Sequence, residues 1–362
     1  NFFGWQVIPR VHYCSGTTEG EAVATVAIYS KEIAYLYQPV SYPADAIIVY
    51  SPVTERCIRA IVYMAWDNVI GPLVKGEPSC GKRYACRASA ELCGAYLIEV
   101  AWNSLSTATL YHDILAGMVG SGYWVCIGGL ERCMPHILAM MATDFFALRN
   151  QVEMDNFRNS VYLAGTDGIP YSRHSFILAT ARSVELACPT NLQTCFSKQV
   201  SVVHRPAWGP LAKLLLETLG YANSDAIGEM IGSIFCRFNL HFNVQLGFLE
   251  LKSIISVVIR HVSTNGKNLP GGSHAIDRGI WHGAIAAVIN GKLDNPKARL
   301  IMEKFSERHI FDEDLTRLHK TLEMNLLTRN SSCLQKKVKE LFGALSIYNG
   351  VIICGPPMGG KP

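Results

Sequence analysis

Residues 76–83 read Gly-Glu-Pro-Ser-Cys-Gly-Lys-Arg, and this spacing of two glycines and a lysine narrows the folds open to the chain. Glycine lets successive backbone N–H groups turn toward an anion. A helix N-terminus behind the loop adds its positive end, and Lys82 adds a point charge. Such a loop needs a strand before it and a helix after it, which commits the flanking chain to an α/β layer. One position departs from the phosphate-loop pattern. The residue after the lysine should carry a hydroxyl for Mg²⁺, and here it is Arg83. A guanidinium has five donors and no acceptor, so it cannot ligate a cation.

Two glycines and a lysine at this spacing arise by chance about 0.1 times in a chain of this composition. A second match closes the chain, at Gly355, Gly360 and Lys361, and its hydroxyl position is Pro362. Val351-Ile352-Ile353-Cys354 before it predicts a buried parallel strand, the context such a loop requires. Together the two matches predict a tandem arrangement of phosphate-loop modules.

The chain has 362 residues, 49% hydrophobic and 17% charged, enough for two or three domains and a large core. The low charged fraction suggests surfaces covered by neighbours. A net charge of +4 from scattered basic residues reads as solubility charge, so no nucleic-acid surface is expected. The 12 cysteines form no C-x-x-C pair and no zinc-like spacing with histidine, so no metal site is expected. They read as reduced core cysteines of an intracellular protein. No signal peptide is recognised. The uncharged run 114–130 is too short and glycine-rich for a membrane span. A start without Met and an end inside a loop read as a piece of a longer chain.

Residues 1–45 carry aromatics without a period and predict a packing or linking segment. Residues 46–50 predict a strand. Pro52 opens a helix that continues over 54–63, and residues 68–75 lead into the first loop, with Gly71-Pro72 weakening that strand. Helices are expected over 82–94, 111–119 and 134–152. Strands are expected over 95–100, 124–127, 161–164 and 176–179. This alternation predicts a parallel, doubly wound sheet. Pro206 and Gly209-Pro210 mark a boundary. Beyond it the pattern is helical over 211–219, 226–238, 244–262, 281–289, 295–308, 315–327 and 334–345.

The strand at 124–127 should end in two acids, one in the Mg²⁺ shell and one orienting the attacking water. The next residues are Gly128 and Gly129, and Glu131 is displaced by two positions. His112, His174 and His204 stand alone and read as core or surface residues. Asp167-Gly168 reads as a turn, and Asp314 as an N-cap after an acidic run.

Taken in order, these motifs resemble the motor ring of dynein heavy chains. Residues 51–57, S-P-V-T-E-R-C, resemble the entry to that family's first AAA+ module. Residues 120–132 match the length of its second motif and keep Gly122, Trp124, Cys126 and Arg132. Residues 35–38, 188–197 and 251–254 resemble its linker end, its finger segment and its I-K-S motif. The resemblance implies an α/β AAA+ P-loop NTPase fold: a parallel sheet flanked by helices, with a C-terminal helical lid subdomain. It assigns 1–45 to a linker end, 46–210 to a large subdomain, 211–330 to a helical small subdomain and 331–362 to the next module. Gly76, Pro78, Ser79, Cys80, Gly81, Lys82 and Arg83 fall at nucleotide-binding positions.

By the same resemblance the hydrolysis set is missing together. The Mg²⁺ hydroxyl falls at Arg83, the strand-end acids at Gly128 and Gly129, and the sensor Asn at Ala179. The arginine finger falls at Ser197 and the second sensor at Leu249. No catalytic residue is therefore expected. ATP or ADP could bind without firm Mg²⁺ ligands. Arg83 then either replaces the metal at a phosphate oxygen, points to solvent, or pairs with Glu131. Glu77 opposes binding by repelling phosphate.

The readings in play are a pseudo-ATPase scaffold, a non-hydrolysing nucleotide site and an active microtubule motor module. The resemblance implies neighbouring AAA+ modules of the same chain, dynein-like accessory chains and microtubules as partners. It implies a cytoplasmic, cytoskeletal setting such as a cilium or sperm flagellum, without a membrane.

Overall fold

The computed structural model describes residues 9–15, 22–29, 31–36, 51–66, 68–102, 107–154, 160–163, 168–182, 195–196, 199–201, 207–221, 223–242, 246–264, 278–290, 341, 345 and 351–353. The chain divides into two compact units, 1–206 and 207–362.

The first unit is built on a parallel sheet of five strands. They are β4 (Ile70–Lys75), β5 (Leu97–Ala101), β6 (Trp124–Gly128), β9 (Phe176–Ala181) and β10 (Gln199–Ser201), in the order β10-β4-β9-β6-β5. Alternation along the central strands sorts side chains to two faces. Val125, Ile127, Ile177 and Ala179 join one apolar core, which includes Leu115 and Met118 of α3 (Ala108–Ser121) and Met141 and Phe145 of α4 (Pro135–Met154). Trp124, Cys126, Phe176 and Leu178 join the opposite core. That one includes Ile58 and Ile61 of α1 (Pro52–Ala65) and Ala85 and Cys86 of α2 (Lys82–Leu92). A sheet with helices on both faces is the doubly wound architecture that the strand–helix alternation predicts.

Local chemistry sets the helix ends. Ser51 caps α1, its Oγ accepting from the Thr54 N–H at 3.2 Å, with Pro52 at the first helical turn where a missing N–H loses nothing. Thr107 caps α3 by accepting from the Leu110 N–H at 3.3 Å.

Gly71-Pro72 does not weaken β4 as the sequence suggests. The register with β9 shifts between Ile70 and Leu73, and pairing with β10 starts at Leu73, so the absent Pro72 N–H removes no bond from that side. Gly71 is there for a steric reason, since a Cβ would meet the Phe176 ring at 2.3 Å.

Other expectations need correction. Of 161–164, the strand is only β7 (Ser160–Val161), paired antiparallel with β8 (Ile169–Pro170) and outside the parallel sheet. The aperiodic segment before residue 45 holds an antiparallel meander of β1 (Arg10–Ser15), β2 (Ala22–Ile28) and β3 (Lys31–Ala34). Val26, Ala27 and Ile28 are all buried, while Val11, His12 and Tyr13 are all exposed, so neither strand shows a period of two. The short edge strand β10 was also not anticipated. Residues 351–353 form no strand, and Ile352 is 89% exposed. An apolar run becomes a strand only beside another that offers backbone partners, and none among the described residues pairs with it. The strand expected at 46–50, the helices expected at 295–308 and 315–327, and the second glycine loop lie outside the described residues. So does nearly all of the helix expected at 334–345.

Among its described residues the second unit is helical: α5 (Trp208–Thr218), α6 (Ser224–His241), α7 (Phe248–Thr264) and α8 (Arg278–Asn290). Gly209-Pro210 lies in the first turn of α5. Gly232 of α6 lets the two helices come close there, because a Cβ on it would sit 2.7 Å from the Gly209 nitrogen. Asn239 brackets Leu246, accepting from its N–H at 2.8 Å and donating to its carbonyl at 3.2 Å. The Glu250 carboxylate accepts from the Gly247 N–H at 2.6 Å, closing the start of α7.

Two measurements check this packing. Gly71→Ala forces a methyl into the Phe176 ring and should lower stability by about 1–3 kcal/mol, with partial recovery in Gly71→Ala/Phe176→Leu, read by denaturant unfolding. Burial pushes the Cys57 and Cys93 thiols from 9.0 up to about 12, and pushes the Tyr111 phenol up as well. Between those values the unfolded chain releases protons that the folded chain keeps, so stability is full below pH 9 and falls as pH rises above it. The melting temperature should drop from pH 8 to pH 10.5, and a flat profile would contradict the burial of these thiols.

Candidate functional site

The carboxyl ends of the parallel strands form one edge, where open α/β sheets bind ligands. Register sets that edge: Val74 of β4, Thr180 of β9, Gly128 of β6 and Ala101 of β5 lie at one level. Backbone bonds pin it. The Trp102 N–H donates to the Gly128 carbonyl at 2.9 Å, the Gly129 N–H to Thr180 at 3.2 Å, and the Gly76 N–H to Ala181 at 3.2 Å.

From β4 the chain enters the loop that Gly76, Pro78, Ser79, Cys80 and Gly81 carry into α2. Gly81 has φ +96°, and Ser79 has φ +59°, a left-handed conformation uncommon outside glycine. These turns give the loop its curl, and α2 then starts at Lys82. The Lys82 ammonium donates to the Gly76 carbonyl at 2.8 Å and the Glu77 carbonyl at 2.6 Å, with the Cys80 sulfur 3.8 Å away. The loop is thus wrapped around its own lysine. Burial raises the Cys80 thiol above its ordinary value, although Lys82 pulls it down, so it stays protonated at neutral pH.

Arg83 is exposed to solvent and does not pair with Glu131. Its side chain lies over the end of β6. A Cβ on Gly128 would sit 3.0 Å from Nη2, 3.2 Å from Nε and 3.5 Å from Cζ. Glu131, in the 3-10 turn Leu130–Arg132, faces Arg182 instead, with Arg182 Nε 3.5 Å from its carboxylate. Among the described residues no carboxylate pairs with Arg83. The Glu131–Arg182 pair was not read from the sequence. Its signal was a basic residue directly after a buried strand, beside the end of its parallel neighbour.

These residues do not fit the divalent cation that such a loop ordinarily holds. Arg83 offers no oxygen, Gly128 and Gly129 offer no side chain, and the nearby Glu131 is engaged. Among the described residues no group of three or more potential ligands could hold a metal. At the sensor position, Ala179 is fully buried opposite Ile127, and its methyl has nothing to donate to a phosphate. Leu249 is 64% exposed on the first turn of α7. Ser197, Gly355, Gly360 and Lys361 lie outside the described residues. His112 is half-buried and His174 exposed, and neither lies on the loop. Among the described residues no helix is long and apolar enough to cross a membrane.

Residues 37–362 match the family model described as the hydrolytic ATP binding site of dynein motor region. The chain is also similar to "Dynein heavy chain, cytoplasmic" of Dictyostelium discoideum, at 20% identity over 387 aligned residues. The alignment takes in 99% of this chain and 8% of that curated relative.

The wrapped lysine makes a direct prediction. Lys82→Ala removes the donor that bridges the Gly76 and Glu77 carbonyls, so amide hydrogen exchange across 76–81 should speed up by about tenfold without nucleotide, while β6 and β9 stay protected. Unchanged exchange in the loop would mean that the lysine does not hold it.

Proposed function

The chain belongs to the dynein motor-region family of AAA+ modules, and from that premise we propose that it is a non-hydrolysing ring element of a dynein-like heavy chain. The observation that carries this reading is Arg83 lying against Gly128. In this reading the guanidinium takes the place that the hydroxyl, the metal and the strand-end acid would share. Phosphoryl transfer in such sites works through charge stabilisation and positioning of water. An arginine finger alone contributes on the order of 10³-fold or more. With the metal ligands, base and sensor positions held by Arg83, Gly128, Gly129 and Ala179, turnover should fall to background. Ser197 and Leu249 extend the same reading to the finger and second-sensor positions.

In this reading Gly76, Pro78, Ser79, Cys80, Gly81, Lys82 and Arg83 form a weak site for ATP or ADP. Residues 1–45 end a linker, 46–210 and 211–330 are the two subdomains of one module, and 331–362 begin the next. The element braces or transmits motion between linker and neighbouring modules. Its partners are those modules and, through the heavy chain, accessory chains and microtubules, in a cytoskeletal setting such as a cilium or flagellum. In character it resembles the divergent dynein heavy chain domain-containing proteins. One observation favours the alternative of an active motor module completed by groups from elsewhere in the ring: Lys82 and the curled loop are retained.

Phosphate release with Mg²⁺ and ATP separates the two. The full chain should turn over no faster than its Lys82→Ala/Lys361→Ala variant. Release that depends on Lys82 would remove the scaffold reading.

A further inference from the structure

We propose that the Gly76–Arg83 loop takes a nucleoside di- or triphosphate as the metal-free polyanion, with the Arg83 guanidinium over Gly128 replacing the hydroxyl, Mg²⁺ and carboxylate of an intact loop. This rests on the family reading above and names the form of ligand that the same site accepts.

The first argument is steric. A side chain at 128 would start 3.0 Å from Arg83 Nη2, so the guanidinium lies directly against residue 128, and a Cβ there would make it shift by a few tenths of an ångström. The two departures from the phosphate-loop pattern are neighbours in space.

The second is electrostatic. A divalent cation held by one carboxylate leaves a single net positive charge facing the phosphates. Arg83 over an uncharged glycine leaves the same charge at the same strand end. It is not cancelled nearby, because Glu131 faces Arg182. A guanidinium also binds phosphate oxygens through two parallel N–H donors, which a point cation cannot do.

The third is exclusion. A nucleotide arriving with Mg²⁺ would place a second cation against Arg83, with no acidic side chain at 128 or 129 to hold it. The metal-bound form is therefore the poorer ligand. Lys82 must exchange its two carbonyl partners for phosphate, and the Glu77 carboxylate opposes the anion, so binding is weaker than in an intact loop.

The test is equilibrium titration of the full chain with a fluorescent ATP analogue, in a Lys361→Ala background that removes the second loop's lysine. Each titration is run in excess Mg²⁺ and in EDTA, with melting curves for every variant. Binding should be at least as tight in EDTA as in Mg²⁺. Arg83→Ala should weaken it about tenfold or more in EDTA, and Arg83→Lys by less. Gly128→Asp sets a carboxylate against Arg83 and should also weaken it, whereas Arg83→Thr/Gly128→Asp should bind only with Mg²⁺. If Gly128→Asp does not fold, the two Arg83 substitutions, at an exposed side chain, still decide. Binding that requires Mg²⁺ in the parent chain, an Arg83→Ala variant that binds normally, or no saturation at millimolar nucleotide in either buffer would each overturn the proposal. The last outcome leaves the non-hydrolysing reading intact. Mg²⁺-dependent binding with turnover defeats both.

Discussion

The parallel register of β4, β9 and β6 is the constraint on which the rest of the first unit depends. It brings Val74, Thr180 and Gly128 to one level, so the loop after β4 and the turn after β6 emerge at the same edge, on either side of β9. The register is hard to slip, because alternate residues of β6 and β9 are committed to two different cores. A shift by one residue would carry Trp124 and Phe176 into the core now filled by Val125 and Ile177. That locked edge lets a side chain two residues past Gly81 reach a residue 45 positions further along. The site's chemistry is local, but its geometry is set by the whole sheet.

Within that geometry the positive charge is spread differently from the pattern of an intact loop. Lys82 is turned inward on the Gly76 and Glu77 carbonyls, and Arg83 faces the strand end. On the far side of the turn, Arg182 faces the Glu131 carboxylate. The result is a basic strand end without an oxygen ligand. Under the proposed reading such a surface holds an anion but does not polarise one through a metal or activate water against it. The module would then keep the means of holding phosphate while losing the means of breaking it.

Much of the fold was legible because the central strands are short apolar runs next to unmistakable loop chemistry. Trp124 to Ile127 and Phe176 to Ala179 are strands as expected, and the helices after each loop begin within a few residues of their signals. The misses share a physical cause. Val26 to Ile28 are buried on both faces and Val11 to Tyr13 on neither, so no alternation marks them. Val351 to Ile353 have the composition of a strand, but pairing depends on a neighbour that composition does not reveal. Gly71-Pro72 looked like a breaker, and it is tolerated because of a bulge and a late-starting edge strand. At the site, the sequence named the positions but left Arg83 with three places to go. The Glu131–Arg182 pair removes one of them, and the contact with Gly128 places the exposed guanidinium at the strand end.

The way the losses fit together also bears on how the site arose. A phosphate loop decaying piece by piece would have no reason to keep its curl, yet Ser79 holds a left-handed turn and Gly81 another. Restoring an acid at 128 alone would create an ion pair with Arg83 rather than a metal ligand, and restoring a hydroxyl at 83 alone would leave the strand end without charge of either sign. Under the proposed reading each of these single changes would give a site that handles phosphate less well than the present one. Under the proposed reading the arrangement pairs a cation with an uncharged neighbour, and a change at either Arg83 or Gly128 alters the charge that meets the phosphates.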